Sequence, residues 1–305
     1  VSYHGWAGAE IRSISAIDIA LLDLTGKAAG VPIYQLLGGA SRDSIPIYNT
    51  CYDHVDFLTD PVRLAGELLQ SGIAAMKIWP FDAIAQQSRG QTISADQLRQ
   101  GMEPLRQIRQ AFGDSMSVAM EFHGYWNLPC AKKIAQALEP LEPMWLEEML
   151  PQDNLAVYAE LARSTRLPLT ISERLMTRYG FRELMENRAA SIIMPDICWC
   201  GGISEAKKIA TMAETWYLPV APHNCGGPVL HWASAHLAAN LTNLAILETV
   251  RRNYFDEYKG ILTRELVPVE GRLPIPQGPG LGVDLSPSVL SAPNVITKTI
   301  TMELT

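Results

Sequence analysis

No stretch of 18 consecutive apolar residues occurs in this 305-residue chain, so nothing in it has the length to cross a bilayer as a helix. Positive charge is not in excess either. The 25 Lys and Arg are outnumbered by 32 Asp and Glu, for a net charge of -7, which argues against a nucleic-acid partner because phosphate binding needs a basic surface. Cysteine is sparse: Cys51, Cys130, Cys198, Cys200 and Cys225 are odd in number and scattered, so no disulfide framework is expected and a reducing cytoplasm is the expected compartment. Cys198-Trp-Cys200 has no second pair to complete a zinc site, and its expected role is structural. Neither GxGxxG nor GxxxxGK[ST] is found, which removes the usual phosphate-cradling loops. The opening residues, VSYHGWAGAEIRS, lack the basic, apolar and small-residue order of a signal peptide.

What is present is repetition. Short apolar runs alternate with longer amphipathic or alanine-rich ones from residue 45 onward, and strands are expected at 45–49, 73–78, 116–121, 143–147, 168–173, 191–196, 217–222 and 244–248. Between them lie helical stretches such as DPVRLAGELLQS, ADQLRQGMEPLRQIRQAF and SEAKKIATMAET. Repeated β-then-α units favour a parallel sheet, and eight of them favour a closed α/β barrel over an open doubly wound sheet. The connection after the second strand is long, and WPFDAIAQQSRGQTIS is expected to be a polar loop on the C-terminal face, either a lid or specificity loop or plain decoration. Residues 1–40 carry a helix ending at Gly30, residues 41–260 make the barrel, and residues 261–305 are Pro- and Gly-rich before a strand-like end, VITKTITMELT.

In a barrel of this kind the strand C-termini build the active site. Lys77, Glu121, Glu147, Glu173, Asp196, His223 and Glu248 stand at those positions on seven of the eight expected strands. Converging carboxylates raise one another's pKa unless something compensates, and a hard divalent cation does so. Glu121, Glu147 and Glu173 end successive strands at equal 26-residue spacing, and three such oxygens leave room on Mg²⁺ for water and substrate. Glu148 competes with Glu147, but neighbours on a strand face opposite sides, and register favours Glu147. His123 shares a face with Glu121 through the two-residue alternation.

The stretches MKIW, MEFH, WLEEM, TISERL, MPDICWCGGISEA, APHNCGG and LAILETV resemble the mandelate racemase subgroup of the enolase superfamily. SAIDIALLDLTGKAAGVPIYQLLGG near the start and EGRLPIPQGPGLGVDL near the end extend the resemblance over nearly the whole chain. It implies a (β/α)7β TIM-type barrel with parts of an α+β capping domain, whose N-terminal part is largely missing. It also implies Mg²⁺ held by Glu121, Glu147 and Glu173, with His223 as a base paired to Asp196. Lys77 would then serve the substrate carboxylate, Glu248, if protonated, would donate to its other oxygen, and His123 would be a second proton-transfer group. Two departures stand out: the first ligand is Glu121 where the subgroup commonly has Asp, and Trp79 stands where a second lysine is often the base. An imidazole at residue 123 is similar to that of the acid-sugar dehydratases, so dehydration of a sugar acid such as an aldonate to a 2-keto-3-deoxy acid is expected. The alternative is a racemase or epimerase. A homo-oligomer is implied, octamers being common in the family.

Overall fold

In a computed structural model, residues 6–293 together with 295, 296 and 298 are described. Seven parallel strands run β1 (Ser44–Thr50), β2 (Ala75–Ile78), β3 (Ser117–Glu121), β4 (Leu146–Glu147), β5 (Leu169–Ile171), β6 (Ile192–Ile193) and β7 (Leu247–Thr249). Their order across the sheet is β6-β5-β4-β3-β2-β1-β7, so each strand from the first to the sixth lies beside the next and the chain curls the sheet round on itself. A short β8 (Arg272–Pro274) pairs antiparallel with the start of β1.

The stretch expected as a seventh strand, 217–222, is not a regular strand. Tyr217 is left-handed at φ 56, and Pro219 and Pro222 have no N–H to give to a ladder. Only Val220 remains in register, bridged in parallel to Ile193 of β6 and to Leu244 just ahead of β7, with Ala221 N–H donating to Ile193 O and Val220 N–H to Asn243 O, both at 2.9 Å. This single extended segment spans the gap between the two outer strands. Proline also shortens other expected strands: 143–147, 168–173 and 191–196 contract to two or three residues each beside Pro143, Pro168 and Pro195.

The helices follow the expected segments, and several start where the side chains predict. Asp60, Asn127 and Asn154 cap Pro61–Gln70, Leu128–Leu138 and Leu155–Ala162, and Ser94 with Gln97 forms a reciprocal capping box on Ala95–Phe112. The N-terminal helix Gly8–Ala29 ends at a left-handed Gly30, as its sequence implies. The long connection after β2 is not simply a loop: it contains the helix Asp82–Ser88. Most of the strand expected at VITKTITMELT falls outside the described residues.

Two apolar clusters hold these elements. The larger lies between sheet and helices, and the smaller fills the barrel interior with Tyr48, Ala75, Ala119, Trp145, Met194 and Ala221. The alanines admit the two large rings, which meet edge to face at 5.2 Å. This inner layer sets the site. Two residues further along the same segments, on the same face, stand Thr50, Lys77, Glu121, Glu147, Asp196 and His223.

Candidate active site

The expected strand-end groups therefore form one polar layer resting on a packed apolar floor, and burial decides how they pair. Lys77 is buried, and its Nζ lies 2.8 Å from Glu248 Oε1, 3.4 Å from Glu121 Oε2 and in contact with Glu147 Oε1. One cation thus serves three acids. Burial pushes the Glu121 carboxyl above its ordinary pKa, against the pull of Lys77, and burial with the nearby Glu121 charge pushes Glu147 well above the carboxylate range. Burial also opposes ionisation of Glu248, but Lys77 and His223 outweigh it and hold this carboxyl well below the ordinary value. Thr50 Oγ1 donates to Glu248 Oε1 and Asn224 N–H to Oε2 at 2.7 Å. A donor role was open to Glu248 only if protonated, and with a lysine, an imidazole, a hydroxyl and an amide around it the group is an ionised acceptor.

His223 Nδ1 lies 2.7 Å from Asp196 Oδ2, and Nε2 lies 3.7 Å from Glu248 Oε2. Burial alone would lower its pKa, yet Glu248, Cys225 and Asp196 together raise it well above the ordinary histidine value. Asp196 is itself fixed, since its Oδ1 accepts the Cys198 N–H at 2.7 Å.

A cavity of about 320 Å³ opens above this layer, with Lys77, Trp79, Glu121, His123, Glu173 and His223 among its lining residues. The two histidines thus share one space with two of the expected metal ligands. Glu147 lies below it, its Oε2 accepting from the Trp145 indole at 2.8 Å. The three expected ligands are not drawn tightly together: among the described residues, the group of three donors lying within 4.8 Å of one another is His223, Cys225 and Glu248. Lys77 and Trp145 occupy both oxygens of Glu147, while Glu173 Oε2 is buried without a partner.

Glu148 departs from the expected strand alternation. Its φ is 45, so the extended chain stops at Glu147, and its buried carboxylate has no hydrogen-bond partner on either oxygen. Burial and the neighbouring Glu173 charge push its pKa well above the ordinary range. The expected ligands Glu121, Glu147 and Glu173 offer oxygen alone, a donor set that suits a hard divalent cation better than a soft one.

Sequence reasoning passed over Thr50, Trp145, Asn224 and Asp82, which hold Glu248, Glu147 and His123. Trp145 had a signal, since it shares the inward face of its segment with Glu147, which was already singled out. His231 and His236 are buried outside the cavity on Leu266 O and Leu281 O. His54 pairs with Asp256 on the surface.

Residues 60–289 match the enolase C-terminal domain-like family, and residues 4–38 match the N-terminal domain of mandelate racemase / muconate lactonizing enzyme. The chain belongs to the mandelate racemase/muconate lactonizing enzyme family of the enolase superfamily. Members of this family typically use a divalent metal. The chain is 46% identical to an enolase of the mandelate racemase subgroup from Agrobacterium tumefaciens, with a TM-score of 0.88 over 95% of this chain and 77% of that one. It is 31% identical over 296 residues to a D-xylonate dehydratase from Haloferax volcanii, covering 94% of this chain and 70% of that protein. An L-rhamnonate dehydratase from Saccharopolyspora erythraea is 33% identical, over 94% of this chain and 70% of its own length. No helix among the described residues is long and apolar enough to cross a membrane.

Proposed function

We propose that this family member is a Mg²⁺-dependent acid-sugar dehydratase. The observation that carries the reading is the pair of histidines, His123 and His223, lining one cavity with Lys77, Glu121 and Glu173. Each imidazole has its own carboxylate on Nδ1, which leaves Nε2 for the substrate.

His223 Nε2 takes the proton from C2, α to the substrate carboxylate, with Asp196 on Nδ1 holding the ring and supporting the charge it gains. The C–H electron pair enters the C1–C2 bond as an enediolate. Lys77 sets positive charge against the substrate carboxylate. The C3–O bond then breaks, His123 supplies a proton so that water leaves, and the resulting enol tautomerises to the 2-keto-3-deoxy acid. Glu121, Glu147 and Glu173 would hold the divalent cation, which when bound would supply further positive charge beside the substrate carboxylate. Glu248, ionised, orients Lys77 and His223.

The similar dehydratases support the class of reaction, and a small sugar acid as substrate follows from the same likeness. Trp79 in place of a second lysine base favours dehydration over 1,1-proton transfer. The test is incubation of a panel of aldonates and aldarates with Mg²⁺ and semicarbazide detection of 2-keto acid. His223→Asn should abolish product while Mg²⁺ binding persists. Inversion at C2 in D₂O with no keto acid from any member of the panel would instead make the enzyme an epimerase.

A further inference from the structure

Asp82 lies outside the strand-end set. It opens the helix Asp82–Ser88 in the connection after β2, and its Oδ2 lies 2.7 Å from His123 Nδ1. That distance equals the one between Asp196 and His223. The contact is held by packing. Phe81, fully buried, lies tilted against Phe122 with ring centroids 5.4 Å apart and presses on Gly101 of Ala95–Phe112, where a Cβ would come within 2.4 Å of the ring. Further along the same connection, Gly90 and Gln91 are tied down by Asn127, whose N–H donates to Gly90 O at 3.1 Å and whose amide donates to Gln91 O at 3.0 Å.

His123 is fixed with equal firmness. Its backbone is left-handed at φ 50, its N–H donates to Glu121 Oε1 at 2.7 Å, and Trp79 and Tyr125 flank the ring at about 6 Å. Asp82 Oδ1 is buried with no partner, a cost that an ordinary surface ion pair escapes by leaving both oxygens in water. The fold thus spends a desolvated carboxylate on this one imidazole nitrogen.

We propose that Asp82 is the positioning residue of His123, accepting its Nδ1 proton and so fixing the ring with Nε2 toward the cavity. The connection after β2 is then a rigid bracket for a proton-transfer group and not a lid. The kinetic part rests on the dehydratase reading, and the structural part does not.

The test uses the whole chain with Mg²⁺, labelled with ¹⁵N-histidine, as wild type, Asp82→Asn and Asp82→Ala, with His123→Gln to assign the ring signals. Long-range ¹H–¹⁵N spectra should show His123 Nδ1 protonated in the wild type, both in the neutral ring and in the imidazolium that donates from Nε2, and the neutral ring's proton moved to Nε2 in both Asp82 variants. With D-galactonate, D-xylonate, D-gluconate and L-rhamnonate as probes, keto-acid kcat should fall about tenfold or more, with KM and C2 hydrogen exchange in D₂O within about twofold of wild type. His123 signals unmoved in Asp82→Ala overturn the proposal, as does an equal loss of exchange and dehydration in Asp82→Asn. Moved signals with no keto acid from any probe uphold the positioning role and defeat the dehydratase reading instead.

Discussion

Two buried histidines outside the cavity make stability acid-sensitive in a calculable way. His231 Nε2 donates to Leu266 O at 2.9 Å while its Nδ1 accepts from the Asn224 amide at 3.0 Å. His236 does the same with Leu281 O at 2.9 Å and the Tyr34 N–H at 3.3 Å. Each ring is therefore neutral with its proton on Nε2, and charging Nδ1 would abolish an acceptor in a buried site. Burial lowers both pKa values from 6.5 to about 4.

The folded pKa lies below the unfolded one, so between them the unfolded chain binds more protons and stability falls as pH falls. At about 1.36 kcal/mol per pH unit the full loss is about 3 kcal/mol per residue, of which about 2 kcal/mol is gone by pH 5. Both together remove about 4 kcal/mol at pH 5, a large share of the 5–15 kcal/mol typical of a folded protein. Urea midpoints by tryptophan fluorescence from pH 7.5 to 5 should record this in the wild type. The His231→Gln/His236→Gln variant should start less stable at pH 7.5 and lose about 4 kcal/mol less across the range. A difference between the two proteins that stays constant with pH refutes the reasoning.

Other perturbations probe the polar layer. Lys77→Met removes the shared cation of three buried carboxylates and should lower unfolding free energy by about 3–5 kcal/mol, read from the urea midpoint at pH 7.5; an unchanged midpoint means the acids are compensated elsewhere. Calorimetric titration with Mg²⁺ should show Glu121→Gln, Glu147→Gln and Glu173→Gln each weakening affinity by about tenfold or more, with Glu148→Gln nearly neutral. The reverse order for Glu147 and Glu148 would transfer the ligand role to Glu148. Gly202→Ala places a Cβ 2.3 Å from Asp18 Oδ2 at a φ of 93, and should cost about 1–3 kcal/mol of stability and reduce kcat, as measured by urea midpoint and keto-acid assay.

The legible part of the site was the part written in a two-residue period. Ala75 and Lys77, Ala119 and Glu121, and Trp145 and Glu147 each place a packed residue below a polar one, so alternation alone lines up the layer. The period fails where the chain stops being extended. Glu148 at φ 45 has left the strand, and the segment around Val220 keeps its place in the barrel with almost no ladder, because prolines bound it. Asp82 was illegible for another reason. It meets His123 across 41 residues through the fit of Phe81 against Gly101 and Phe122, a packing event that no local pattern announces.

The same distinction applies to the N-terminal helix, which the sequence presents as a remnant of a separate domain. Ile11, Ser15 and Ile19 of Gly8–Ala29 are buried against the barrel. Ser15 Oγ accepts the Gly201 N–H and Asp18 Oδ2 the Ser204 N–H, both at 3.0 Å, so the helix grips the turn that follows Asp196. One turn earlier, the Arg12 guanidinium lies 4.0 Å over the Trp199 ring, which stands 6.2 Å from His223. The turn that carries the partner of the proposed base is thus held from outside the barrel. Loosening that grip would release Asp196 and Trp199 together, so the orientation of His223 depends on a helix that contributes no residue to the polar layer itself.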